Sequence, residues 1–149
     1  MRACLMMVAV IWSFISSACA DWGFWDSDRS WVALETSGQT TNWYSLWNSG
    51  AGTFHGANLG IFTQGVSTLQ IDAYDVKTYK NDISDVTGVQ CHYTIYTNGA
   101  RPGTPVFSDL NGGWLSDLGS GNQKWGNAGP MDVNLLAGLT PGVTYQLEI

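Results

Sequence analysis

Tryptophan is the residue type through which this sequence has most scope for chemistry. It has eight tryptophans in 149 residues, and Trp22, Trp25, Trp31, Trp43, Trp47, Trp114 and Trp125 all follow position 20, several among Gly, Asn and Ser. An indole held on a protein surface stacks on the apolar face of a pyranose, while Asn, Gln and Asp beside it bond the hydroxyls. Two stretches supply both kinds of group: Trp43-Tyr44 with Trp47 and Asn48, and Asn122-Gln123 with Trp125. These seven residues are the candidate ligand-binding set, for a polysaccharide or cell-surface glycan. The competing reading places the rings in a core, and Trp31 and Trp114 fit it best.

Two short acidic runs, Asp26-Ser27-Asp28 and Asn81-Asp82-Ile83-Ser84-Asp85, bear on metal binding. Calcium takes several oxygen ligands, and Asn81, Asp82 and Asp85 with backbone carbonyls would supply part of a set. Neither run matches the twelve-residue EF-hand loop, and Asx turns account for Asn and Asp in a reversing loop without an ion. No cofactor is expected beyond that calcium. For catalysis the histidines are His55 and His92, neither within a nucleophile or zinc motif, and no pair of carboxylates is singled out by spacing. The expectation is no catalytic residue and no enzyme.

The net charge of −6 and the scattering of Arg29, Lys77, Lys80, Arg101 and Lys124 argue against nucleic acid, whose backbone needs clustered cations. Arg2, the apolar stretch Leu5 to Ile15 and the exit Ser16-Ser17-Ala18-Cys19-Ala20 form a helical secretory signal peptide over residues 1–20. The apolar run is short of the roughly 20 residues a membrane span requires. A secreted or cell-surface domain over residues 21–149 follows, with no span after cleavage. Cys91 is then the one cysteine left, and it lies on the same alternate face as Val89, Tyr93 and Ile95, as a small buried hydrophobe would.

To position these residues the chain offers strands. Short segments alternate apolar and polar residues between Gly, Asn, Asp and Pro, with no helical period after residue 20. The pattern predicts strands at 31–35, 43–47, 68–74, 75–80, 89–96, 106–110, 114–118, 131–136 and 143–149. Leu69, Ile71 and Ala73 share an inward face, as do Val143, Tyr145, Leu147 and Ile149. The fold expected is all-β, an antiparallel Greek-key β-sandwich.

Leu139-Thr140-Pro141-Gly142-Val143-Thr144-Tyr145 resembles the Leu-x-Pro-x-x-x-Tyr segment of fibronectin type III domains. The resemblance implies structural roles for Leu139, Pro141 and Tyr145, with the tyrosine hydroxyl bonded back to the backbone at a corner between sheets. More broadly, Tyr79-Lys80-Asn81-Asp82, Asp85-Val86-Thr87-Gly88, Gly121-Asn122-Gln123-Lys124-Trp125 and Asn134-Leu135-Leu136-Ala137-Gly138-Leu139 resemble uncharacterised modules of secreted, multidomain bacterial surface proteins. That implies an accessory β-sandwich and no particular activity. A fibronectin-like order would add a strand after Ile149, so a fragment of a longer chain, missing its last strand, is expected. Three functions remain in play: a non-catalytic glycan-binding module, a structural or spacer module of a larger adhesin or secreted enzyme, and a small secreted hydrolase.

Overall fold

The computed structural model describes residues 22–24, 30–37, 41–46, 52–55, 57–63, 65–81 and 85–149, with only the backbone at Trp22. The signal segment, Trp25, Asp26, Asp28, Trp47, Asn48 and Asp82 lie outside the described residues. Nine strands follow in chain order: β1 (Trp22–Phe24), β2 (Ser30–Thr36), β3 (Asn42–Ser45), β4 (Leu69–Lys80), β5 (Val89–Thr97), β6 (Ser108–Gly119), β7 (Asn122–Gly126), β8 (Val133–Asn134) and β9 (Tyr145–Glu148). Among the described residues there is no helix.

All nine strands are joined antiparallel in one hydrogen-bonded sheet, along the path β3-β2-β4-β7-β6-β5-β9, with β1 and β8 also on β4. The sheet curls into a half-barrel. This differs from the face-to-face sandwich expected from the spacing, and the reason lies in β6. Its first half, Ser108 to Gly112, pairs with β5, and its second half, Gly113 to Gly119, pairs with β7. Hydrogen bonding therefore passes continuously between what would have been separate sheets. Register shifts at Trp114/Ser116 and Asp117/Gly119 on β6, and at Ala33/Leu34 on β2, supply the local bends that curl a sheet.

Two pairs of expected segments are single strands. Segments 68–74 and 75–80 form the twelve-residue β4, and segments 106–110 and 114–118 form β6 through Gly112-Gly113. On β4 the core face is Leu69 and Ile71, then Tyr74, Val76 and Thr78. Ala33 pairs with Ala73 but Leu34 pairs with Ile71, so Asp72 is the extra residue of a bulge. One added residue inverts the alternation, which moves Ala73 off the core face and brings Tyr74 onto it.

The core contains Val32, Leu34, Ile71, Tyr74, Val89, Cys91, Leu110, Trp125 and Leu135, with Val86 brought in by the β4–β5 connection. Tyr74 ties the two arms of the half-barrel together. Its hydroxyl donates to the Leu110 carbonyl at 2.9 Å, and the Cys91 backbone N–H bonds to the same hydroxyl. The ring crosses Gly112, where any Cβ would run into the hydroxyl and come within 2.8 Å of Cζ. Gly126 is constrained in the same way, with a Cβ blocked by the Tyr74 carbonyl and a φ of 155°. Cys91 is buried among these groups, and desolvation pushes its thiol up to about 11. A thiol so shifted stays neutral, in keeping with a packing role.

At the C-terminal end Leu147 and Ile149 pack against the core, whereas Val143, expected inward, is exposed because β9 starts only at Tyr145. The Tyr145 hydroxyl accepts the Thr140 backbone N–H at 2.9 Å, a back-bond over five residues. β9 lies beside β5, and Arg101 forks onto both Glu148 oxygens at 2.8 Å.

Candidate functional site

The β4 bulge also builds the most developed polar surface around an exposed tryptophan. Trp43 of β3, Ala33 of β2 and Ala73 of β4 form one cross-strand row on the outer face, because directly paired residues share a face. Trp43 is 48% exposed. Of the two alanines in its row, Ala33 is fully buried and Ala73 is half-buried. The bulge sends Asp72 out next to Ala73, where its carboxylate accepts the Thr41 hydroxyl at 3.2 Å. One step along β4, Gln70 Nε2 donates to Glu35 at 3.1 Å and to Asp132 at 3.0 Å.

The loop carrying Asp132 is fixed to the bulge by backbone mimicry. Asn127 Oδ1 accepts the Tyr74 N–H at 2.8 Å, and its Nδ2 donates to the carbonyls of Asp72 and Gly129. Met131 N–H donates to the Asp72 carbonyl at 2.8 Å. A carboxamide thus stands where a strand peptide would, bridging the gap between β7 and β8 on the edge of β4. Asp132 itself takes a φ of 51°, left-handed backbone that Asp tolerates better than most side chains. The outcome is an indole on β3 and, on the same side of the sheet, the polar groups of Thr41, Glu35, Gln70, Asp72 and Asp132 running across β2 and β4 to the loop before β8, a combination that can stack a ring and bond hydroxyls.

The residues singled out from the sequence fall differently. Tyr44, adjacent to Trp43, faces the other way, half-buried and edge-on to Phe54 with ring centroids 6.4 Å apart. It therefore cannot extend a platform on the Trp43 side. The second expected patch is not a surface patch: Trp125 is only 6% exposed and Gln123 is buried with it, as both occupy core-facing positions of β7. Asn122, at the start of β7, is half-buried and paired across to Tyr79. Trp114, expected in the core, is instead 54% exposed, and Trp31 is intermediate. Of the three residues considered for calcium, Asn81 is exposed and Asp85 accepts Lys80 Nζ at 2.8 Å. That ammonium holds the Asp85 carboxyl below the usual carboxylate range. No group of three or more metal-ligating side chains occurs among the described residues.

No family model, curated protein or solved structure matches the chain. Function must therefore be argued from the side chains themselves.

A second polar strip lies on the outer face of β5 and β6. Gln90 donates to Asn111 at 2.7 Å, His92 Nδ1 lies 2.7 Å from Asp109, and Phe107 stands edge-on to His92 with centroids 6.5 Å apart. The sequence placed His92 outward but gave no partner for it. Its partner comes from the β5–β6 register, as do those of Glu35 and Gln70 from β2–β4 pairing. Asp132 lies 62 residues from Gln70 and carries no local signal of the contact. No helix among the described residues is long and apolar enough to cross a membrane.

Proposed function

We propose that this chain is an exported, non-catalytic carbohydrate-binding module that docks a polysaccharide on the outer face of β2, β3 and β4, with Trp43 as the stacking ring. The observation that carries the reading is the half-exposed Trp43 on the same side of the sheet as the hydrogen-bonded cluster of Glu35 on β2, Gln70 on β4 and Asp132 on the loop before β8. An aromatic mounted on a strand loses little freedom on binding, and amide and carboxylate groups alongside it meet sugar hydroxyls. Export and membership of a larger bacterial surface protein rest on the signal-like first 20 residues and the sequence resemblances.

Binding is favoured over hydrolysis by Gln70. Glu35 and Asp132 accept from one amide nitrogen, so the bonded oxygens lie within about 6 Å, near the separation of retaining-glycosidase carboxylates. The amide fills the space between them, where a glycosidic bond would have to sit. A structural or spacer role draws support from Trp125, whose burial makes it a packing residue.

The deciding experiment is titration of the protein and of Trp43→Ala with a panel of soluble polysaccharides, with far-UV circular dichroism as a fold control. Saturable binding by the wild type, weakened about tenfold or more in Trp43→Ala, is expected. Binding by neither protein, or equally by both, would remove the proposal.

A further inference from the structure

Lysine and arginine are scarce in this chain, six in 149 residues, and they are scattered along it. Folding nevertheless sets two of them opposite each other. Lys77 of β4 and Lys124 of β7 are direct register partners, so both side chains leave the sheet on one side. Like charges directly opposed across two strands are destabilising, and Asp75, on the same face of β4, offsets part of that by bonding Lys124 Nζ at 2.6 Å. The trio still carries one positive charge in excess, on a protein that is acidic overall. Solvent reaches it: Lys124 keeps 39% of its side chain exposed, and Lys77 is half-buried.

The lysine pair ends a diagonal that begins at Trp43. Trp43 is level with Ala33 and Ala73, Trp31 of β2 is level with Asp75, and Lys77 is the next outer position along β4. Each step, from Trp43 to Trp31 and from Trp31 to Lys77, crosses one strand and advances two residues, roughly 8 Å. Lys124 lies one strand further on. The carboxylates of Glu35 and Asp132 gather around Gln70, near the other end of β4 and about 20 Å from Lys77 once the bulge is allowed for. That is more than twice the Debye length of about 8 Å at physiological salt, so the acidic and basic ends of the face act on a ligand separately.

We infer that Lys77 and Lys124 form an acidic-sugar subsite on the outer face, which binds the carboxylate of a uronic acid residue in a polysaccharide whose uncharged residues lie over Trp31 and Trp43. The inference rests on the Trp43 reading and adds to it the charge and the direction of the ligand. An ammonium carries three N–H donors, so the bond from Lys124 to Asp75 leaves that group able to donate again. A carboxylate offers one oxygen to each lysine, and such charge-assisted bonds are about twice as strong as neutral ones. Two lysines suit an isolated carboxylate and fall short of the run of cations that a nucleic-acid backbone requires. Glu35 and Asp132 repel a uronate at their own end, so the chain is held in one direction.

The probes are glucuronoxylan, hyaluronan and xanthan, each titrated calorimetrically beside the same polymer with its carboxyls reduced to alcohols. Far-UV circular dichroism is the fold control. At least one acidic polymer should bind about tenfold more tightly than its reduced form at low salt, and the gap should close at about 0.5 M salt. Lys77→Gln should bring the acidic polymer down to the affinity of the reduced one; Lys77 is the residue to change because Lys124→Gln would also strip Asp75 of its partner. Trp43→Ala should weaken both forms. Equal binding of acidic and reduced forms, or a gap that survives in Lys77→Gln, would overturn the subsite, and reduced forms that still bind through Trp43 would then retain the outer-face reading. Binding of no polymer in either form, or acidic binding that Trp43→Ala leaves untouched, would overturn both.

Discussion

The tie between Tyr74 and the β5–β6 arm can be tested by a double-mutant cycle with Gly112. Tyr74→Phe removes a buried hydroxyl bonded to the Leu110 carbonyl and the Cys91 N–H, so each backbone group loses that bond. A loss of that kind costs about 2 kcal/mol. Gly112→Ala places a methyl against the same hydroxyl and near Cζ, an overpacking worth about 2 kcal/mol. If the two acted independently, the double variant would lose about 4 kcal/mol. They do not act independently, because the phenylalanine ring lacks the atom that the alanine methyl strikes hardest. Cζ remains close, so relief is partial and the double variant should lose about 3 kcal/mol, a coupling of about 1 kcal/mol. Urea unfolding followed by tryptophan fluorescence gives the four free energies. For a domain of this size, Tyr74→Phe alone should lower Tm by roughly 6 to 10 °C. Costs that add to within about 0.4 kcal/mol would refute the placement of the Tyr74 hydroxyl over Gly112.

The Cys91 thiol should not react with a soluble disulfide reagent at pH 8 until denaturant is added, as measured by thiol release; rapid reaction in the native state would contradict its burial. Asp85 and Glu148 have folded pKa values lowered by Lys80 and Arg101, so their stabilisation is present above their unfolded values and is lost as pH falls through the folded ones. Unfolding free energy should therefore drop below about pH 4, with a smaller drop in Asp85→Asn, measured by urea denaturation at a series of pH values. Asn127→Ala leaves the Tyr74 N–H without its acceptor and should cost about 1 to 3 kcal/mol, with faster exchange of that amide. An unchanged exchange rate would show that the carboxamide does not complete the β4 edge.

The alternating residues themselves determined the all-β character and several inward faces. Val89, Cys91, Tyr93 and Ile95 on β5, and Met131, Val133 and Leu135 near β8, all belong to the core or pack on it. Period-two patterns survive folding because successive side chains of a strand must point to opposite faces. The back-bond at Tyr145 was legible for a related reason, since its partner, Thr140, is only five residues away.

Tertiary structure alone decided which tryptophans reach solvent. Trp114 and Trp125 are register partners on one face, yet one is exposed and the other buried, because burial depends on what lies over each position. The inversion on β4 was equally hidden: Asp72 breaks the alternation only through its pairing with β2, and Ala73 and Tyr74 exchange places as a result. The Glu35, Gln70 and Asp132 cluster joins positions far apart in the chain, through the β2–β4 register and a loop anchored by Asn127. Periodicity is a property of neighbours along the chain, whereas exposure, bulges and polar clusters are set by pairing across it.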